Sequence, residues 1–202
     1  MPENTKPHPP PRTGLDPRNP LVFDVREVGR RAGAARDYRR RVPAPAGLGI
    51  DLVGVAEQAP LDLVLRLESV TEGVLVTGTV TAPLTGECGR CLDPFADEIT
   101  VEICELFAYP HSATDETTEQ DEVSRIDGDY LDVEPVLRDG VVLAVPWTPL
   151  CRPDCAGLCP TCGQRFDDLP QGHTHDVLDP RWAALAALSD RVETHDGRTE
   201  QE

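Results

Sequence analysis

Apolar and polar residues alternate most clearly between positions 61 and 82. Four leucines occupy every second position from Leu61 to Leu67, and the segment VLVTGTVTA continues the same period after a turn at 71–73. Because successive side chains of a β strand point to opposite faces, a period of two marks a strand with one buried face. The pattern predicts a β-hairpin.

Further strands are predicted on both sides of this hairpin. The segment LVFDVREV at 21–28 alternates roughly as a half-buried strand does, and ADEITVEICELFAY at 96–109 has the same character. Cys104 lies inside the second of these strands and is predicted to be a core residue. Residues 29–41 contain six arginines and are predicted to form a loop or a short helix.

Two short helices complete the prediction. Asp132 is a plausible N-cap for a helix that must stop by Pro146, and Asp179 followed by Pro180 opens an amphipathic segment, PRWAALAALSDRV. Strands in the majority and helices near the end predict an α+β, β-rich fold. We expect an antiparallel sheet or partly open barrel, two short helices and a zinc-knuckle C-terminal segment.

Composition divides the chain further. Seven prolines within residues 1–20 disfavour both helix and sheet, and the acidic stretch at 111–129 lacks apolar periodicity, so we interpret it as a mobile insertion. The predicted organisation is a disordered tail (1–20), a β-rich domain with that insertion (21–145), a metal-binding segment with the C-terminal helix (146–190) and a second disordered tail (191–202).

Charge is distributed unevenly along the chain. The 202 residues have a formal net charge of -17, yet residues 1–41 hold ten Lys or Arg against five Asp or Glu, whereas residues 42–202 hold nine against 31. A segregated charge can present a basic face to RNA and an acidic face to a basic protein. No segment is apolar enough for a membrane span or a signal peptide, so we expect a cytoplasmic protein.

Clustered cysteines are the strongest chemical signal. Four of the seven cysteines lie in CRPDCAGLCPTCG, at 151–163. Cys159 and Cys162 have the C-x2-C spacing with which two thiolates hold one tetrahedral zinc ion, and Gly163 permits the left-handed backbone that closes such a turn. Thiols stay reduced in the cytoplasm, where clustered cysteines more often bind metal than form disulfides.

The ligand set itself stays open at this level. One candidate is Cys151, Cys155, Cys159 and Cys162; the rival replaces the first two cysteines by His173 and His175, and a cluster of metal-free thiols is the third interpretation. Zinc is favoured because no redox motif accompanies the cysteines. Its predicted role is structural, because residues 146–180 have too few apolar side chains to fold unaided.

A second thiol pair, Cys88 and Cys91, lies in the turn CGRC. It can complete a four-thiolate site with Cys159 and Cys162, act as a redox pair, or form a tight turn with buried thiols. The redox interpretation is the weakest, because the pair lies between β segments and the neighbouring carboxylates Glu87 and Asp93 disfavour a thiolate.

Several segments together resemble the YceD family, whose members are linked to accumulation of large-subunit ribosomal RNA. They are LVFDVREVGRR, EGVLVTGTVTAPLTGECGRCLDPF, IDGDYLDVEPVLRDGVVLAVPWTPLCRPDCAGLCPTCG and LDPRWAALAAL, between Leu21 and Leu188. The most specific piece is the CGRCL turn combined with the distal cysteine block. The chain departs from the family where His173 and His175 replace a C-x-C pair.

The resemblance implies a compact β-rich domain, no enzymatic reaction and a role in ribosome biogenesis. It also implies a genomic association with a small zinc-knuckle protein of the large subunit. Some similar sequences lack the distal block, which implies that the metal is not essential to the shared role.

Two partners are compatible with the charge pattern. The arginines expected to contact phosphates of large-subunit ribosomal RNA or its precursor are Arg30, Arg31, Arg36, Arg39, Arg40 and Arg41. The acidic body can hold a basic large-subunit ribosomal protein, and a chaperone of such a protein without RNA contact is one alternative. The other is a zinc-dependent hydrolase or nuclease acting on ribosomal RNA, although the sequence has no G-x-S-x-G, P-loop or H-E-x-x-H motif.

Overall fold

The computed structural model describes residues 14–119 and 122–175. Its contacts divide the chain into two compact units, Met1–Cys155 and Ala156–Glu202. The division falls after Cys155, beyond the boundary predicted at 145. The predicted C-terminal helix, the tail at 191–202 and residues 1–13 of the first tail lie outside the described residues.

The first unit is dominated by strands. In chain order they are β1 (Val22–Asp24), β2 (Ala35–Pro43), β3 (Leu48–Ile50), β4 (Val53–Val55), β5 (Pro60–Ser69), β6 (Gly73–Glu87), β7 (Pro94–Ala108), β8 (Ser124–Arg125) and β9 (Tyr130–Asp132). The α helices of the described residues are α1 (Ala113–Thr117) and α2 (Glu134–Ala144). None of the helices in this part of the chain is long and apolar enough to cross a bilayer.

The strands form an open, largely antiparallel sheet. β2, β5, β6 and β7 lie side by side, and β4 and β3 extend the sheet from the end of β6 that β5 does not reach. β1 pairs with β9 apart from this sheet, and β8 joins β7 in parallel. The sheet does not close into a barrel, and the predicted β-rich α+β class is confirmed.

The hairpin predicted from alternation is the centre of the sheet. β5 and β6 pair antiparallel around the predicted turn, with Leu63 opposite Val80 and Leu67 opposite Val76. The leucines of β5 are at most 2% exposed, and the valines opposite them are equally buried. These side chains belong to one buried apolar core that also includes Phe23 of β1 and Leu137 of α2, so one face of the hairpin is buried, as the period of two requires.

The prediction of a loop or short helix at 29–41 is wrong from Ala35 onward, where the chain forms an edge strand, whereas residues 29–34 form the predicted loop. Residues of β2 pair with β5 throughout, from Ala35 opposite Glu68 to Pro43 opposite Pro60. Tyr38 and Val42 face the core, while Arg39 and Arg41 face solvent. Sheet pairing decided the conformation, because a strand with one free edge tolerates charged side chains on its exposed face.

The prediction that Cys104 is a core residue is also wrong. The strand itself is confirmed as β7, but Ile99, Val101 and Ile103 point into the core. Cys104 is one position out of phase with them, lies opposite Thr77 and is exposed. The alternation therefore places its side chain on the solvent face.

Helix α2 begins one residue later than predicted. Its N-cap is Val133, and Asp132 accepts a hydrogen bond from the Glu134 N–H at 2.9 Å, so the predicted capping carboxylate still satisfies a free amide. Leu137 and Val141 of the helix are buried. Gly140 faces β7 so closely that a Cβ there would lie 2.5 Å from Cγ1 of Val101.

Other local predictions are modified by the structure. The strand expected at 21–28 ends at Asp24, whose carboxylate caps a short 3₁₀ turn at Val25–Glu27. The acidic stretch at 111–129 contains α1 and β8, and Arg125 binds Asp115 at 2.6 Å and the carbonyl of Thr118 at 3.2 Å. Residues 120 and 121 lie outside the described residues.

Candidate metal centres

The first unit brings four cysteines together from two distant segments. Cys88 and Cys91 occupy the turn between β6 and β7, and Cys151 and Cys155 follow α2. The Gly89 N–H donates to the Pro149 carbonyl at 2.8 Å, and the Arg90 guanidinium donates to the Cys155 carbonyl at 2.8 Å. These bonds hold the post-helix segment against the turn, so all four thiols face one point.

The spacing of these sulfurs suits a tetrahedral ion. All four Sγ atoms lie within 4.8 Å of one another, with Cys88 and Cys155 3.8 Å apart and Cys91 and Cys151 3.6 Å apart. In a tetrahedral site with zinc–sulfur bonds of about 2.3 Å, neighbouring sulfurs are separated by about 3.8 Å. The group can therefore hold a metal ion with little movement.

Burial and electrostatics of this first group also favour a cation. Cys88, Cys91 and Cys155 are at most 6% exposed. Backbone N–H groups of Cys91, Cys151 and Arg90 lower the pKa of the Cys88 thiol. An N–H of Asp93 acts the same way on Cys91, but burial and the neighbouring thiols outweigh it and raise the pKa of Cys91. Four thiolates this close repel one another unless a cation lies between them.

The second unit contains a separate group of two cysteines and two histidines. Cys159, Cys162, His173 and His175 place one ligand atom each within 4.8 Å of the others. The Cys162 Sγ lies 3.7 Å from the His173 Nε2, close to the sulfur–nitrogen separation of about 3.6 Å in a tetrahedral zinc site. The two Nε2 atoms are 2.7 Å apart and would separate by about half an ångström on binding an ion.

The two C-x2-C turns have the same backbone conformation. In the first, the Leu92 N–H donates to the Cys88 carbonyl at 2.9 Å, and the Cys88 N–H donates to the Asp93 carbonyl at 2.8 Å. In the second, Gly163 and Gln164 replace Leu92 and Asp93, with both bonds at 2.8 Å. The residue after the second cysteine is left-handed in each turn, with φ +62° at Leu92 and +69° at Gly163.

Each turn also directs backbone amides at its first sulfur. The Arg90 N–H lies 3.5 Å from the Cys88 Sγ, and N–H groups of Cys162 and Thr161 lower the pKa of the Cys159 thiol. Amides pointing at a sulfur stabilise the thiolate, which is the form that binds metal. The left-handed Gly163 agrees with the prediction that glycine closes this turn; a leucine in that conformation is strained.

The predicted ligands are thus divided between two groups rather than assembled around one ion. Cys151 and Cys155 lie with Cys88 and Cys91, and not in one set with Cys159 and Cys162. Cys159 and Cys162 lie with both histidines, as in the rival set. The sequence contained a signal for this division, because the eight cysteines and histidines that occur in closely spaced pairs match two tetrahedral shells of four.

The six arginines predicted to contact RNA occupy different environments. Arg40 lies over Phe23, with 4.4 Å from the guanidinium carbon to the ring centroid, and Arg30 lies 5.3 Å from the Tyr109 centroid. Arg36 pairs with Glu27 at 3.4 Å and Arg41 with Asp62 at 3.7 Å. Arg31 and Arg39 are exposed, and within the described residues their side chains make neither a salt bridge nor a hydrogen bond.

Comparison with known proteins shows the relatives of this chain. The family model described as large ribosomal RNA subunit accumulation protein YceD matches residues 76–189, a range that includes both ligand groups. The uncharacterised protein Rv2926c of Mycobacterium tuberculosis is 51% identical over 170 residues, covering 84% of this chain and 82% of the relative.

Two further relatives are less similar to this chain. An uncharacterised protein of Mycobacterium leprae is 46% identical over 84% of this chain and 78% of its own length, and YlbN of Bacillus subtilis, also uncharacterised, is 26% identical over 54% and 63%. No solved structure matches the chain. The family match covers more than half of the sequence, and the chain therefore belongs to the YceD family of large ribosomal RNA subunit accumulation proteins.

Proposed function

We propose that this protein is a non-enzymatic ribosome biogenesis factor that supports accumulation of large-subunit ribosomal RNA in the cytoplasm. Membership of the YceD family is the observation that carries the proposal. That family is not known as an enzyme family.

The RNA contact is assigned to the exposed cations near the edge strand β2. Arg31 and Arg39 have no ionic partner among the described residues, and Arg41 is paired only at 3.7 Å. A guanidinium without a carboxylate partner is free to bind phosphate oxygens. Arg40 and Arg30 instead lie over the rings of Phe23 and Tyr109, and Arg36 pairs with Glu27 at 3.4 Å. The proposed RNA surface therefore consists of Arg31, Arg39 and Arg41.

The acidic body is assigned to a basic large-subunit ribosomal protein. Exposed carboxylates of Glu98 and Glu102 project from the solvent face of β7, at the opposite end of the sheet from β2. Opposite charges at the two ends allow RNA and a basic protein to bind at once without competing for one surface.

Zinc is proposed to act structurally in the first group of four cysteines. Four protein ligands complete a tetrahedral shell and leave no position for the water that a catalytic zinc requires. The thiolates would tie the segment after α2 to the β6–β7 turn. This filled shell favours a scaffold over the alternative of a zinc-dependent hydrolase or nuclease.

Depletion of the protein tests the proposal in cells. We expect less large-subunit ribosomal RNA relative to small-subunit RNA, and sedimentation of the protein with precursors of the large subunit. Restoration by the wild-type gene is the control. An unchanged ratio of large-subunit to small-subunit RNA on depletion would contradict the proposed function.

Binding to precursor RNA at several salt concentrations tests the surface. Because each phosphate contact contributes about 0.7 to 0.9 to the slope of log K against log salt, the Arg31→Ala/Arg39→Ala variant should lose about 1.4 to 1.8 of that slope. The matched Arg31→Lys/Arg39→Lys variant keeps the charges and should retain most of it. Equal slopes for the wild type and the alanine variant would remove these arginines from the RNA surface.

A further inference from the structure

The second ligand group differs from the first in the accessibility of its ligands. In the first group, three of the four cysteines are at most 6% exposed. In the second group, Cys159 is buried, but Cys162 and His175 are exposed and His173 is half-buried. A chelator or a second metal-binding protein can therefore approach an ion in the second group directly, whereas an ion in the first group is enclosed.

The chemistry of the second group also differs. Two thiolates and two neutral imidazoles neutralise the charge of one zinc ion, whereas four thiolates leave an excess of two negative charges. Both sets complete a tetrahedral shell. The shared backbone conformation of the turns at Cys88–Asp93 and Cys159–Gln164 indicates that each turn presents its sulfurs for the same purpose.

Residues 156–175, the part of the second unit that the structure describes, have few other stabilising features. Among these residues, Cys159 is the only buried apolar side chain, and Phe166 is 38% exposed. Backbone hydrogen bonds among these described residues are confined to short turns. They are the two bonds of the Cys159–Gln164 turn, a bond of 3.0 Å from the Phe166 N–H to the Gly157 carbonyl, a 3₁₀ turn at Phe166–Asp168 and a bond of 3.1 Å from the His173 N–H to the Pro170 carbonyl. A segment of this kind depends on a bound ion for its folding free energy.

We infer that the chain binds two zinc ions, and that Cys159, Cys162, His173 and His175 form a second, exchangeable zinc centre that controls folding of the second unit. The first centre holds its ion under conditions that empty the second. The unit thus responds to available zinc while the sheet and its arginine edge stay folded. This inference is independent of the proposed ribosomal role, because metal content and exchange are measured on the purified protein.

Metal analysis of purified, untagged, zinc-loaded protein tests the inference. We expect two equivalents of zinc in the wild type, one in His173→Ala/His175→Ala and two in the control His111→Asn, whose histidine belongs to neither group. A wild type with a single equivalent, or a His173→Ala/His175→Ala variant that keeps both or loses both, would overturn it.

The time course of zinc release to a chelator distinguishes the two centres. We expect one equivalent to leave the wild type in a fast phase and one in a slow phase, with the fast phase missing from His173→Ala/His175→Ala. Arg165 is the sole tryptic site between residues 156 and 175, so cleavage after it should appear together with the fast phase. Release of both ions in one phase would contradict an exchangeable centre. A rate of cleavage after Arg165 that is the same with and without zinc would also contradict it.

Discussion

The Sγ atoms of Cys88 and Cys155 lie 3.8 Å apart, although the two residues are 67 positions apart in the sequence. Cys88 lies in the β6–β7 turn and Cys155 ends the segment that follows α2. An ion bound between them would cross-link the sheet to the chain segment that follows the helix. The first cysteine group therefore connects two segments that are distant in the sequence. A zinc site with all its ligands in one short segment would not connect them.

Removal of one ligand should release this cross-link. We expect Cys155→Ser to lose the ion of the first group and to lower the free energy of unfolding of the first unit by about 4 kcal/mol or more, as loss of a structural metal does. Cys104→Ser is the matched control, because Cys104 is exposed and outside both groups; it should change stability by less than about 0.5 kcal/mol. Zinc content and denaturant unfolding measure both effects, and equal stability of the two variants would refute the cross-link.

Backbone strain at Leu92 predicts a substitution that raises the free energy of unfolding. Its φ of +62° costs an L-residue about 1 to 2 kcal/mol, and its side chain is 60% exposed. Leu92→Gly removes the strain but adds about 0.5 to 1 kcal/mol of unfolded-state entropy, so we expect net stabilisation of about 0.5 to 1 kcal/mol.

The comparison for this variant is another exposed leucine. Leu143 is 80% exposed near the end of α2, where glycine is unfavourable, and Leu143→Gly should destabilise the protein by about 0.5 to 1 kcal/mol. Unfolding of both variants by urea in excess zinc distinguishes them. A Leu92→Gly variant less stable than the wild type would show that the leucine side chain contributes more than its strain costs.

Arg40 and Arg39 are neighbours in β2 with different roles. Arg40 lies over the rings of Phe23 and Tyr38, at 4.4 and 5.2 Å, so Arg40→Ala should lose about 1 to 2 kcal/mol of stability through cation–π contact and packing. Arg39→Ala removes an exposed side chain and should change stability by less than about 0.5 kcal/mol. Thermal or urea unfolding measures the difference, which should vanish if Arg40 is merely a surface charge.

Gly140 sets the distance between α2 and β7. An added Cβ would lie 2.5 Å from Cγ1 of Val101, so Gly140→Ala should destabilise the protein by about 1 to 3 kcal/mol, although alanine improves helix propensity by about 1 kcal/mol. In a double-mutant cycle, Val101→Ala makes room for the new methyl group. We expect a favourable coupling of about 1 kcal/mol or more between the two changes, and additive unfolding free energies would reject this contact.

The Asp115–Arg125 pair should make the acidic insertion sensitive to low pH. The Arg125 guanidinium and the His111 N–H bind the Asp115 carboxylate and lower its pKa below the usual value. A lowered pKa contributes stability above the unfolded value, near pH 3.8, and this contribution is lost as the pH falls through the folded value. The protection of the amides of residues 111–119, relative to the intrinsic exchange rate at each pH, should fall over that range, and Arg125→Ala should show the lower protection already at neutral pH.

The features that the sequence determined are those carried by neighbouring residues. The period of two in Leu61–Leu67 determined the β5–β6 hairpin, and the local C-x2-C spacing with Gly163 determined a knuckle turn. The same alternation also placed Cys104 out of phase with Val101 and Ile103, and a strict count would have predicted its exposure. Local steric and hydrogen-bonding preferences are enough for these features, because they need no distant partner.

Tertiary structure decided every feature that depends on a remote partner. Arg36–Arg41 became a strand because β5 offered an unpaired edge, and Cys151 joined Cys88 rather than Cys159 because the chain after α2 returns to the β6–β7 turn. Ligand-type residues are interchangeable to a metal ion, so spacing names the candidates without dividing them into shells. The division follows from where the folded backbone brings each sulfur and imidazole.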